Sequence, residues 1–189
     1  MVNYFYLIRH AHADWEPDEN RPLSARGKRD AIRVAEVLSA YPVTKIYSSP
    51  YRRALQTVEP LAIRLDIPVQ IVPELCERNL GRALLGDFDS AVQATWRDPN
   101  FSHPGGETNA AAQERGISVV NKLQVEYPGV EIVLSTHGNL MALVMQYFDP
   151  EIDFTFWRSL TMPDVYKLEI LPDGMIKIIR LWKESGILV

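Results

Sequence analysis

The chain has 189 residues, 47% of them hydrophobic and 23% charged, which suffices to bury a substantial core as one domain. Its net charge of −4 argues against nucleic-acid binding, which asks for a basic patch or stripe, and leaves room for a local basic pocket. The single cysteine, Cys76, excludes an internal disulfide and fits a reducing compartment. No stretch has the length of a membrane span, and Arg9 and His10 break the N-terminal apolar run too early for a signal peptide. The expectation is one cytoplasmic domain over residues 1–189 with no nucleic-acid or membrane partner.

Tyr4-Phe5-Tyr6-Leu7-Ile8 is continuously apolar and reads as a strand buried on both faces, stopping at Arg9-His10-Ala11-His12-Ala13-Asp14-Trp15. Glu16 to Pro22 reads as a loop. Ser24 is a candidate N-cap for a helix over roughly Arg26 to Ala40, with Ile32, Ala35 and Leu38 on one face and Pro42 closing it. A short strand, Val43 to Tyr47, leads into Ser48-Ser49-Pro50-Tyr51-Arg52-Arg53-Ala54. There Ser49 as N-cap and Pro50 at the first helical position predict a helix start, and Pro60 predicts a kink or local opening further along.

Val69 to Val72 is a third strand. Gly81 to Gly106 reads as an excursion with one short helix, Glu107 to Tyr127 as a long helix, Glu131 to Thr136 as a buried strand, and the Leu140 to Tyr147 region as the helix after it. Val165 to Leu171 and Met175 to Trp182 read as a hairpin around Pro172-Asp173-Gly174. Alternating strands and helices predict an α/β fold: a three-layer α/β/α sandwich with a mostly parallel central sheet.

Three strands are followed at once by polar groups: Arg9-His10, the Ser48 to Arg53 turn, and Thr136-His137-Gly138-Asn139. Ligands of open α/β sheets bind outside the carboxyl ends of the strands, so two arginines and two histidines are expected in one crevice. Arginine forks and helix N-termini are good phosphate binders. A neutral imidazole serves as nucleophile when its second nitrogen donates to a fixed carbonyl. Glu77, after the third strand, is the natural proton donor to a leaving group.

These residues resemble the histidine phosphatase superfamily, which includes the cofactor-dependent phosphoglycerate mutases. Leu7-Ile8-Arg9-His10-Ala11 is similar to its Arg-His-Gly signature, and Leu23-Ser24-Ala25-Arg26-Gly27 to its Leu-Thr-x-x-Gly helix start. Ser48 to Thr57 resembles its Ser-Ser-Pro-x-x-Arg-Ala-x-Gln-Thr segment, Gly105-Gly106-Glu107-Thr108 its Gly-Gly-Glu element, and Ser135-Thr136-His137-Gly138 its second histidine motif. The resemblance implies that His10 becomes phosphohistidine, that Arg9, Arg53 and His137 hold the phosphoryl oxygens, and that Glu77 is the proton donor. Arg78 is implied as a substrate-side residue. Gly138, Asn139 and Trp15 are further candidates for phosphate or substrate contact. No cofactor and no metal are expected, and the partner is a small phosphorylated substrate; oligomeric state stays open.

Ala11 replaces the signature glycine, and Glu16 stands where many members carry a phosphate-contacting asparagine, a role not transferred because a carboxylate repels phosphate. The chain is expected to lack the mutases' insertions, which shield the phosphoenzyme from water, so hydrolysis is expected over mutase-type transfer. Three other readings compete. Cys76 and Arg82 have the Cys-x5-Arg spacing of tyrosine phosphatases, without the usual loop glycine. His10-x-His12 has the form of an amidohydrolase metal pair, which belongs to a barrel of about 250 residues. A non-catalytic phospholigand-binding protein is the third. His12 is expected at the pocket mouth with Trp15, shaping substrate or packing, and Trp96 and Phe101 are expected to shape the pocket. A neutral His10 with a protonated Glu77 predicts a mildly acidic pH optimum.

Overall fold

The computed structural model describes residues 1–14, 16, 20–81 and 87–183. In chain order the elements are β1 (Asn3–Arg9), α1 (Ala25–Leu38), β2 (Val43–Ser48), α2 (Arg52–Leu65), β3 (Val69–Ile71) and a 3₁₀ turn at Pro73–Leu75. Then come α3 (Phe88–Arg97), α4 (Asn109–Glu126), β4 (Glu131–Thr136), α5 (Gly138–Phe148), α6 (Phe154–Ser159), β5 (Asp164–Ile170) and β6 (Ile176–Arg180). The strands form one sheet in the order β3-β2-β4-β1-β5-β6. The pairs β3–β2, β2–β4 and β4–β1 are parallel, while β1–β5 and β5–β6 are antiparallel.

The sheet is buried on both faces because successive side chains of a strand point to opposite sides. Phe5 and Leu7 of β1 join Ile132 and Leu134 of β4 in the core under α4 and α5. Tyr6 and Ile8 join Ile46, Val133 and Val165 in the core under α1 and α2. This explains the unbroken apolar runs, and the three-layer sandwich expected from the sequence is the architecture found. Since β2, β4 and β1 are adjacent and parallel, their carboxyl ends open on one edge of the sheet, bringing Arg9-His10, Ser48 to Arg53 and Thr136 to Asn139 together.

Three local expectations are corrected. Ile32 is about half exposed, whereas Ala31, Val34, Ala35 and Leu38 form the buried stripe of α1; the turn of the helix carries position 32 off that stripe. Helix α2 begins at Arg52 with Tyr51 as N-cap and no side-chain cap, because the Ser49 hydroxyl faces His137 instead. It also runs through Pro60 without interruption. Ser24 does cap α1, its hydroxyl accepting from the Gly27 N–H. Among the described residues, no helix is long and apolar enough to cross a membrane.

Candidate active site

The end of β1 delivers His10 into the crevice as a nearly enclosed side chain, 7% exposed. Its Nδ1 lies 2.8 Å from the Ala11 carbonyl oxygen, and its Nε2 lies 3.1 Å from Arg53 Nε. A guanidinium can only donate and a carbonyl can only accept, so the ring is neutral with its proton on Nδ1 and the lone pair of Nε2 facing Arg53. Burial is the main cause that pushes the His10 pKa down to about 3. The Ala11 bond opposes it, and the charges of Arg53, Arg9 and Arg21 add to it. The Ala11 peptide is itself pinned, its N–H donating at 2.9 Å to Thr57 Oγ1, whose hydroxyl donates at 2.7 Å to the Arg53 carbonyl. One side chain on α2 thus ties the backbone that orients His10 to the backbone that carries Arg53.

Arg9 leaves the same strand and donates from Nη1 to the Leu160 carbonyl at 2.7 Å, while its Nε is buried without a partner among the described residues. Its position depends on Gly138. A Cβ at residue 138 would stand 2.8 Å from Arg9 Nε and 2.9 Å from its Cζ, so the first residue of α5 must be glycine for the guanidinium to lie where it does. Burial lowers the Arg9 pKa and the nearby Glu77 carboxylate opposes that shift. Arg53 is buried, and its guanidinium lies over the Tyr51 ring at 4.7 Å.

His137 is fully buried between two rings, those of His10 and Tyr51, each with its centroid 5.1 Å away and edge-on. Its Nε2 is 2.9 Å from Ser49 Oγ, and its Nδ1 has no hydrogen-bond partner among the described residues. Burial, then the positive neighbours, holds its pKa well below that of a free histidine.

Glu77 reaches the N-terminus of α5. Its Oε1 accepts from the backbone N–H of Arg78 at 2.9 Å and of Leu140 at 3.0 Å, and its Oε2 accepts from that of Asn139 at 3.1 Å. Each carboxylate oxygen has two acceptor positions, so Oε1 is filled and Oε2 retains one. The segment carrying Glu77 is strapped from α4: Arg115 donates to both oxygens of Glu107, at 2.7 and 2.9 Å, and reaches the carbonyls of Glu74 and Cys76. Glu107 also donates its N–H to the Asn79 carbonyl at 2.7 Å. Gly81, at φ +63°, lets this turn pass against Gly106 and Pro104, where a Cβ would come within 2.5 Å of backbone.

Arg78 is only 3% exposed, and none of its three guanidinium nitrogens has a hydrogen-bond partner among the described residues. Burial lowers its pKa against the opposing pull of Glu77 and Glu107. The oxygens of those two carboxylates are engaged by backbone amides and by Arg115. Asn139 is buried with its Oδ1 unpartnered, so its backbone N–H, rather than its side chain, has a defined task here.

The structure therefore gathers Arg9, His10, Arg53, His137, Gly138 and Asn139, with the Glu77 carboxylate beside Arg9 and against α5. Trp15 and Arg82 lie outside the described residues. His12 bonds through Nδ1 to Ser24 Oγ at 2.9 Å and so joins the α1 cap. Trp96 packs against the core, and Phe101 sits edge-on to His103. Glu16 is exposed and uses its backbone carbonyl to accept from Arg21. Sequence reasoning passed over Thr57, Ser49, Arg115 and Arg21. The first two stand inside the segment already singled out, whereas nothing local in the sequence marks Arg21 or Arg115.

The histidine phosphatase superfamily (branch 1) model matches residues 5–182, and the chain belongs to that superfamily. It is 32% identical over 126 residues to an uncharacterized protein of Mycobacterium tuberculosis, covering 61% of this chain and 60% of that one; the match thus spans less than two thirds of that relative's length. It is 29% identical over 161 residues to a glucosyl-3-phosphoglycerate phosphatase of Mycolicibacterium vanbaalenii, covering 75% and 72% of the two chains. The solved structure of Bacillus stearothermophilus YhfR superimposes with a TM-score of 0.80 at 23% identity, over 97% of this chain and 98% of the other, a likeness of fold.

Proposed function

We propose that this protein is a metal-independent phosphatase that hydrolyses a phosphate monoester through a phosphohistidine on His10. The observation that carries the reading is the neutral His10, its Nδ1–H on the Ala11 carbonyl and its Nε2 lone pair facing Arg53. In the first step Nε2 attacks phosphorus, the ester P–O bond breaks, and Glu77 gives a proton to the leaving oxygen. In the second step water attacks phosphorus as Glu77 takes the water's proton, the P–N bond breaks with its electron pair returning to Nε2, and phosphate departs from a neutral His10. Acceptor arithmetic assigns both transfers to Oε2. Arg9, Arg53 and His137 take up the charge of the phosphoryl oxygens, where donors fixed in a dry site act most strongly. Arg78, with a buried and unpartnered fork, is the substrate-side cation, and the substrate is a small phosphorylated molecule. Similarity to a glucosyl-3-phosphoglycerate phosphatase and to a probable phosphoglycerate mutase supports phosphoryl chemistry of either kind, of which hydrolysis is the one proposed for this chain.

The test is hydrolysis of p-nitrophenyl phosphate in excess chelator by the parent protein, His10→Ala and Cys76→Ser. Activity in the parent and in Cys76→Ser, lost in His10→Ala, is the expected pattern. Loss confined to Cys76→Ser would transfer the nucleophile to the thiol. Phosphate binding without turnover across a panel of monoesters would make this a phospholigand-binding protein.

A further inference from the structure

Ser49 stands at a junction that the steps above do not use. Its hydroxyl oxygen, fully buried, accepts from the Tyr51 N–H at 3.3 Å, lies 2.9 Å from His137 Nε2, and lies 3.9 Å from Cys76 Sγ. One hydroxyl proton must choose between nitrogen and sulfur. The choice propagates, because a neutral His137 also has one proton for two ring nitrogens.

If Ser49 donates to Nε2, the ring proton sits on Nδ1, the nitrogen that has no partner among the described residues. If Ser49 donates to Cys76, Nε2–H donates to Ser49 instead, and Nδ1 turns a lone pair toward the site. A phosphoryl oxygen is attracted by the first arrangement and repelled by the second. The distances separate them: 2.9 Å to an imine-type nitrogen is a full hydrogen bond, whereas 3.9 Å to a thiol sulfur is a weak contact. A buried N–H without a partner is also costly, which gives the Nδ1–H a use for an incoming oxygen.

We propose that Ser49 is a positioning residue that holds His137 in its Nδ1–H tautomer, so that His137 donates a hydrogen bond to a phosphoryl oxygen. The inference rests on the reading of His137 as a phosphoryl contact and adds the device that sets its polarity.

The test begins with the tautomer in the parent protein. Nitrogen-15 NMR of imidazole-labelled protein, with His137 assigned by its disappearance in His137→Asn, should show Nδ1 protonated and Nε2 as a hydrogen-bonded acceptor. A proton on Nε2 would overturn the proposal. Vanadate, a phosphoryl mimic, provides the second readout. Ser49→Ala should weaken its binding about 10- to 100-fold, the range for a hydrogen bond to a charged group, and Ser49→Thr should restore most of it. The amide N–H of His137→Asn takes the place of Nδ1–H without any tautomer to set. Adding Ser49→Ala to His137→Asn should therefore change vanadate affinity less than about 2-fold; fully additive losses would refute a role exercised through His137. A parent that neither binds vanadate nor turns over a monoester would defeat the phosphatase reading, while the NMR result would still decide the tautomer.

Discussion

Gly138→Ala probes how tightly the two strand ends are fitted together. The added Cβ would stand 2.8 Å from Arg9 Nε and 2.9 Å from Cζ, against roughly 3.5 Å for ordinary contact, so the guanidinium must retreat about 0.7 Å. It cannot do so freely, because Nη1 is held at 2.7 Å by the Leu160 carbonyl. Either that bond stretches or the fork rotates away from the phosphoryl group. A displacement approaching 1 Å in a positioning group costs about 100-fold in rate, ~2.7 kcal/mol at the barrier, and crowding of this kind lowers stability by ~1–3 kcal/mol. The assay is kcat/KM for p-nitrophenyl phosphate in Gly138→Ala, Arg9→Ala and the double variant, with thermal melts to confirm folding. Because the glycine acts through Arg9, the double variant should be no worse than Arg9→Ala alone. Activity of Gly138→Ala within about 3-fold of the parent, or losses that multiply in the double variant, would refute the reasoning.

Four further outcomes follow from the geometry. His10, with a pKa of about 3, should stay neutral far below the usual histidine value of roughly 6.5, so NMR titration should find it ~97% unprotonated at pH 4.5; a midpoint near 6.5 would contradict the site. The sign for stability is the reverse: unfolded His10 protonates below about 6.5 and folded His10 only near 3, so the folded state loses ~1.4 kcal/mol per pH unit as pH falls through that window. His137, shifted the same way, steepens the loss, and urea midpoints measured from pH 7 to 4 should fall accordingly. Thr57→Val strands the Ala11 N–H, at a cost of ~1–3 kcal/mol, and should lower kcat more than it raises KM; an unchanged kcat would remove Thr57 from the orientation of His10. Arg115→Met should unstrap the Glu74 to Glu77 segment, slowing hydrolysis of esters with poor leaving groups by more than 10-fold while sparing p-nitrophenyl phosphate; equal losses on both would argue for general unfolding.

Most of the site was legible because its residues follow strands whose apolar runs announce themselves, and parallel neighbours must open on one edge. The pairing of β1 with β4 brings His10 to His137 across more than 120 residues with no signal beyond that pattern. What the sequence hid is where a side chain turns. Ser49 has the composition of a helix cap, yet α2 begins only at Arg52, and the Ser49 hydroxyl lies against the buried His137 instead. His12 looked like half of a ligand pair, and instead it bonds to the Ser24 hydroxyl that caps α1. Ile32 followed a three-residue spacing that could not distinguish two neighbouring stripes of one helix. Arg115 carries no motif of its own, and its task appears only when α4 is packed beside the Glu74 to Glu77 turn. The mildly acidic optimum expected from an ordinary histidine is likewise revised on its acid side, because burial and three arginines keep His10 neutral.

The most direct measurement is to trap the intermediate. Protein mixed with a phosphate monoester, quenched in alkali within milliseconds and digested, should yield a phosphorylated peptide that contains His10 by mass spectrometry, with the group on His10 Nε2 and labile to acid. The same peptide should be unmodified in His10→Ala. Phosphate found on Cys76, or steady turnover with His10 replaced by alanine, would contradict the account.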